Sequence, residues 1–115
     1  MGSIMSERIT QRPWGEFETL ITNSYCTIKL MTIKAGHRTS LQAHDERTEL
    51  FYLISGQCKV QLLEKILLLK PKNQILIPKG WWHRTEAIED STILELSTGT
   101  FNEQDIHRIQ DDYGR

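Results

Sequence analysis

The chain is short of the residues that would staple, break or anchor it. Two cysteines in 115 residues exclude a disulfide scaffold. Cys26 and Cys58 match no zinc-motif spacing, fall in strand-like segments and read as buried thiols. Prolines number three, and no linker, low-complexity tract or internal repeat divides the chain. The longest aliphatic runs, such as "ILLL" at 66–69, are far below the roughly 20 residues needed to span a bilayer as a helix. No membrane partner is therefore expected. The opening "MGSIMSERITQ" lacks the apolar stretch of a secretion signal, so cytoplasm is the expected compartment. Charge of one sign is lacking too. The net charge is −1 with no basic stripe interleaved with aromatics, which argues against a nucleic-acid partner.

What is present is a soluble globular composition, 38% hydrophobic and 25% charged, long enough to bury one core. Short β-type runs recur every 8–12 residues or so, the spacing of an all-β sandwich or barrel. They cover 16–21, 25–33, 40–44, 49–55, 58–63, 66–70, 74–78, 83–88 and 92–98. Turn residues fall between them at Gly36, Ser55-Gly56, Pro71, Pro78-Lys79-Gly80 and Glu89-Asp90. The C-terminal "NEQDIHRIQDDYG" is the one candidate helix, with Asn102 as its cap. Several strands are apolar on both faces, "ELFYLIS" above all. Such a strand has a barrel interior behind it and a second sheet or another subunit in front, so a homodimer is expected.

One stretch stands apart. "SLQAHDERTEL" at 40–50 places polar donors at the edge of an apolar strand. Alternation puts Gln42 and His44 on one face, and Glu49 opens the next strand after a short turn. Much later "PKGWWH" turns at Pro78 and Gly80 so that His83 begins another strand. An amide oxygen, two imidazoles and a carboxylate suit zinc, manganese, iron or nickel better than a thiolate-loving ion. Zinc is the first choice among these. Three or four protein ligands at a barrel mouth leave positions open for water or substrate. Buried unpaired, a histidine and a carboxylate would cost several kcal/mol, on the order of what keeps such groups out of cores. A cation removes that cost.

These residues also carry a family resemblance. "QAHDERTELFYLISG" resembles the first cupin motif, with Gln42 where most cupins have a histidine, and "PKGWWH" resembles the second. "RPWGEFE", "SLQAH" and "DDYGR" are similar to the C-terminal cupin domain of type II phosphomannose isomerases, which are bifunctional mannose-6-phosphate isomerase/GDP-mannose pyrophosphorylases. The likeness runs from about Arg12 to Arg115. It implies a cupin (double-stranded β-helix, or jelly-roll) barrel over 12–115, with the candidate short helix at its end, after a flexible segment 1–11. It implies a metal held by Gln42, His44, Glu49 and His83. It also implies interconversion of mannose 6-phosphate and fructose 6-phosphate.

That reaction moves a proton between adjacent carbons through an enediol. It needs a cation at the developing enediolate oxygen, a base within hydrogen-bond reach and a cationic pocket for the phosphate. Arg47, which matches the arginine of the family's "HRxEH" stretch, and Lys29, which matches a family lysine, are the phosphate candidates, with Arg84 behind them because alternation points it away from His83. Arg12, Tyr113 and Arg115 match family positions without a role of their own. Trp81 or Trp82 is a candidate for stacking on a sugar ring, against plain rim packing. His37 and His107 read as surface residues.

The chain departs from the family where Asp45, Glu46 and Leu50 stand in place of histidines. Glu46 or Asp45 is then the candidate replacement base. No Gly-rich phosphate loop precedes the barrel, so pyrophosphorylase activity is not expected of these 115 residues. The competing readings are a cupin that binds a sugar, sugar phosphate or sugar nucleotide without turnover, and another cupin enzyme such as an oxygenase or sugar-nucleotide epimerase.

Overall fold

Period-two alternation builds this molecule almost entirely. The computed structural model describes residues 8–23 and 25–115, and among them there are eleven strands and no helix. In chain order they are β1 (Ile9–Arg12), β2 (Gly15–Ile21), β3 (Thr27–Ile33), β4 (Leu41–Ala43), β5 (Arg47–Ser55), β6 (Cys58–Leu62), β7 (Lys65–Leu69), β8 (Gln74–Ile77), β9 (His83–Ala87), β10 (Ser91–Gly99) and β11 (His107–Gln110). Every strand expected from alternation is present. One sheet runs β1-β2-β3-β10-β5-β8 and the other β11-β4-β9-β6-β7, with all named pairings antiparallel. The two face each other as the expected cupin barrel.

Inward-facing residues change character along the barrel. At one end Ile33, Leu53 and Ile93 are sealed from solvent and form the core with Val60. Trp14, Phe17, Met31 and Phe51 lie above them. At the other end the same strands turn polar inside: Lys29 on β3, Arg47 and Glu49 on β5, His83 on β9 and Glu95 on β10, all buried. The apolar half holds the barrel shut, and the polar half makes a lined cavity. Gly56, which ends the first motif, turns the chain from β5 to β6 with a left-handed φ of 92°. A side chain there would collide with the carbonyl of Asp90.

Three expectations are corrected. The C-terminal helix does not form. Asn102 does cap, its Oδ1 accepting from the Gln104 N–H at 2.9 Å, but the turn stops there and β11 pairs with β4 instead. A helix so short is marginal in water, whereas the open edge of β4 offers β11 a strand partner. Second, the flexible lead of 1–11 falls in two parts. Residues 1–7 lie outside the described residues, while Ile9–Arg12 hydrogen-bonds to β2 through a hairpin at Pro13-Trp14. Third, Cys26 lies just before β3 and is half-buried, whereas Cys58 is fully enclosed.

The outer face of the larger sheet is apolar. Cross-strand register aligns Ile28, Leu96, Leu50 and Leu76 in one row and Leu30, Leu94 and Tyr52 in the next. No outward position of β3, β10 or β5 is charged. These three strands carry their charges inside and their leucines outside, while β2 beside them presents Glu16 and Glu18 outward.

Candidate metal centre

His44, Glu49 and His83 come together from three strand edges, and their ligand atoms lie within 4.8 Å of one another. The polar turn after β4, the first residues of β5 and the start of β9 all open at the same end of the barrel. Glu49 Oε1 stands 3.5 Å from His44 Nε2 and 3.4 Å from His83 Nε2. Each imidazole is fixed from behind: His44 Nδ1 donates to the carbonyl of Asp105 at 2.6 Å, and His83 Nδ1 to that of Trp81 at 3.1 Å. Both Nε2 atoms then present lone pairs inward, the arrangement that prepares metal-binding histidines. Glu49 Oε1 and His83 Nε2 are buried with no hydrogen-bond partner. Buried groups of this kind are costly unless something completes them, and a divalent cation accepting three lone pairs does so.

Gln42 joins this set through its amide. Its Nε2 lies 3.4 Å from His44 Nε2, and its Oε1 accepts from the Ser40 hydroxyl at 2.7 Å. Because a hydroxyl also accepts, rotating the amide by half a turn keeps the Ser40 bond and presents oxygen to the imidazoles. The four residues that the sequence singled out therefore converge.

Electrostatics divide the two buried carboxyls. Burial pushes Glu49 up, but the neighbouring Glu95 carboxyl and the two imidazoles bring it well below the ordinary carboxylate range. Burial and the Glu49 charge instead hold Glu95 well above it. Glu49 is thus the anion and Glu95 its protonated neighbour. Burial also keeps the His44 imidazole below its usual value, despite the Glu49 charge, which favours the neutral form that binds metal.

The other predicted residues divide. Arg47 is not a free rim cation. It is buried, with Nε donating to Glu49 Oε2 at 3.3 Å, Nη2 3.1 Å from His44 Nε2 and its guanidinium over the Phe101 ring. Lys29 is likewise inside, 2.8 Å from Glu103 Oε1 and between the rings of Phe17 and Phe101. Arg84 is corrected as a phosphate candidate: it serves the fold, donating to the carbonyl of Thr39 and to Gln110. Glu46 is corrected as the base. Its side chain is exposed in the turn before β5 and does not line the cavity. Asp45 is exposed too and pairs with His107 at 2.6 Å. Trp81 and Trp82 line a separate apolar cleft with Leu62, Leu63 and Leu67 rather than the metal cavity. His107 is exposed as expected, and His37 is half-buried, stacked near Tyr113.

Glu95, Asp105 and Arg108 are the site residues that the sequence reading misses. Glu95 carried a signal, as an acid at an inward position of "TILELST" between Ile93 and Ser97. Asp105 and Arg108 were hidden by the helix expectation. The Asp105 carboxylate caps the N–H groups of Asp45 and Glu46, each at 2.9 Å. Its cluster with Asp45 and His107 is thereby committed to holding the ligand turn.

Comparison with known proteins gives the family and the fold. A protein-family profile described as "Mannose-6-phosphate isomerase C-terminal" matches residues 3–111. The xanthan biosynthesis protein XanB of Xanthomonas campestris is 33% identical over 111 residues, covering 94% of this chain and 24% of XanB. The alginate biosynthesis protein AlgA of Pseudomonas aeruginosa is 34% identical over 107 residues, covering 90% and 22%. The chain thus spans about a quarter of the length of these curated relatives. In fold it resembles KdgF from Halomonas sp., with a TM-score of 0.78 at 16% identity over 87% of this chain and 91% of that one. With a profile match over nearly its whole length, the chain belongs to the mannose-6-phosphate isomerase C-terminal family.

Proposed function

We propose that this protein is a metal-dependent aldose–ketose isomerase that interconverts mannose 6-phosphate and fructose 6-phosphate. The observation that carries the reading is the set of buried, unpartnered lone pairs on Glu49 and His83 beside His44, in a cavity also lined by Lys29, Arg47 and Glu95. His44, Glu49 and His83 would hold a divalent cation, zinc by preference for these N and O donors, with Gln42 as fourth ligand; manganese, iron and nickel are the alternatives. When bound, the cation supplies Lewis-acid stabilisation of the oxygen that becomes negative as the enediol forms.

The remaining chemistry belongs to the chain. Isomerisation moves a proton from C2 of the aldose to C1, while the C2 hydroxyl gives up its proton to become the ketone and the C1 carbonyl oxygen gains one to become a hydroxyl. Glu95 is the carboxyl the cavity offers for proton traffic at oxygen. Its protonated form is favoured by burial and by the Glu49 charge, so it is suited to give a proton to an oxygen gaining charge and to take it back. Lys29 and Arg47, both held over Phe101, add positive potential along the substrate path.

A coupled assay with mannose 6-phosphate tests this reading. Turnover lost on chelation and restored by zinc or manganese supports it; no turnover in metal-loaded protein removes it. The second reading is a cupin that binds a sugar phosphate without turnover. The exposed position of Glu46 and the replacement of family histidines at Asp45, Glu46 and Leu50 favour it, and tight binding without product would establish it.

The protein is further proposed to act in the cytoplasm on a small sugar phosphate; no helix among the described residues is long and apolar enough to cross a membrane. It is also proposed to work as a homodimer through the outer face of the larger sheet. Five strands about 4.8 Å apart and about 23 Å long present roughly 550 Å² per copy. Two copies bury about 1,100 Å², just above the roughly 1,000 Å² of a specific contact. A face without charges in its central strands is self-complementary, and two such sheets stack face to face.

A further inference from the structure

Five cations line the cavity, and they stand in two tiers. Lys29 and Arg47 lie deep, beside the ligand residues. Arg12, Arg108 and Arg115 line the same cavity but are contributed by β1, β11 and the chain end. Register fixes Arg108: it is directly opposite Gln42 across the β11–β4 pair, so the two side chains share the inward face. Arg108 has no acidic partner within salt-bridge distance among the described residues. Partial burial and the nearby charges of Arg115 and Arg12 disfavour its own, against the more distant pull of Asp111 and Glu103. Three guanidiniums gathered at an opening repel one another unless an anion joins them.

Two of the three arginines already meet an acid: Asp111 Oδ2 accepts from Arg115 Nε at 3.1 Å, and Glu103 reaches Arg12. Glu103 reaches Lys29 at 2.8 Å and Arg12 at 3.3 Å with its two oxygens, while its own side chain is half exposed. Even with Glu49 on Arg47 and Asp111 on Arg115 counted beside Glu95 and Glu103, the five cations outnumber the carboxyls around them, and Arg108 is the one left without an acid at salt-bridge distance among the described residues.

We propose that Arg12, Arg108 and Arg115 form a phosphate-binding arc at the cavity mouth, and that the Glu103 carboxylate competes with the phosphate for Arg12. The inference rests on the isomerase reading only for the identity of the rest of the ligand. A phosphate monoester carries close to two negative charges and several acceptor oxygens, which matches three forked donors. A single carboxylate would be satisfied by one. The arc also separates two tasks in space: the arginines hold the far end of the sugar, and the ligand set receives its reacting carbons.

The test is titration of the metal-free full chain with inorganic phosphate, followed by calorimetry or phosphorus NMR, with glucuronate as the carboxylate control. Saturable phosphate binding is expected without metal. Arg108→Gln and Arg115→Gln should each weaken it about tenfold, the loss of one charge-assisted contact. Glu103→Gln should tighten it severalfold by removing the competitor. Arg108 is exposed, so its variant should fold, and circular dichroism checks this. Phosphate binding that needs the metal, that ignores Arg108 and Arg115, or that glucuronate matches overturns the arc. Phosphate binding as expected with no turnover of mannose 6-phosphate leaves the arc standing and removes the isomerase reading alone.

Discussion

The main-chain carbonyl of Asp105 accepts the Nδ1–H of His44 at 2.6 Å, while the carboxylate of the same residue caps the N–H groups of Asp45 and Glu46. One residue thus fixes a ligand's ring and the turn that carries it. Burial would raise the Asp105 carboxyl, but the two N–H donors hold it below the usual range.

Asp105→Ala keeps the carbonyl and removes the clamp. Metal affinity should fall about 10- to 100-fold, the usual cost of losing support behind a ligand. Stability should fall by about 2 kcal/mol, from two charge-assisted hydrogen bonds discounted for partial exposure. Calorimetric metal titration and urea unfolding measure the two effects. An unchanged metal affinity would show that His44 needs no such support.

His83→Ala should abolish measurable metal retention and leave the barrel folded. The apolar end of the barrel, centred on Ile33, Leu53 and Ile93, holds the sheets together without the metal. Elemental analysis after dialysis and thermal melts by circular dichroism separate the outcomes. Unfolding of the variant, or of the metal-free wild type, at room temperature would mean that the cation is part of the core.

Gln42→His should tighten binding and move the metal preference toward iron, because imidazole is the stronger donor. Competition between zinc and ferrous iron for the two proteins reads this directly.

Stability of the metal-free protein should fall as pH drops below 6.5. Burial holds His44 below its ordinary 6.5 in the folded state, so the unfolded chain takes up the proton first and gains from acid. Asp105 and Glu103, both lowered, add to the loss near the ordinary carboxylate range. His107 and Glu95 act in the opposite sense. Asp45 raises His107, so its contribution is present below 6.5 and lost as pH rises, a share that full exposure makes small. Burial and the Glu49 charge raise Glu95, so the folded state takes up that proton first and part of the decline is offset until the lowered carboxylates are reached. Urea midpoints between pH 8 and 4 should decline with acid, and a flat profile would contradict the assignment.

Leu94→Glu, at the centre of the apolar outer face, should turn a dimer into a monomer without changing metal affinity. Sedimentation measures this, and a wild-type protein that is already monomeric at high concentration would remove the dimer.

The sequence alone determined the strands from β2 to β10, because period-two alternation and turn residues are local properties that survive without tertiary context. It also determined the four candidate ligands, because donor-type residues stood out at the ends of apolar runs. Only the tertiary structure decided what the cations do. Lys29 and Arg47 occupy inward positions of strands whose outward positions are apolar, and no local pattern says which face of a two-sided strand is the interior. Only the tertiary structure made β11 of a segment that reads as a helix, since the open edge of β4 is formed by residues some sixty positions earlier. With that strand came Asp105 behind His44 and Arg108 beside Gln42, two contacts that long-range pairing creates and that spacing along the chain does not contain.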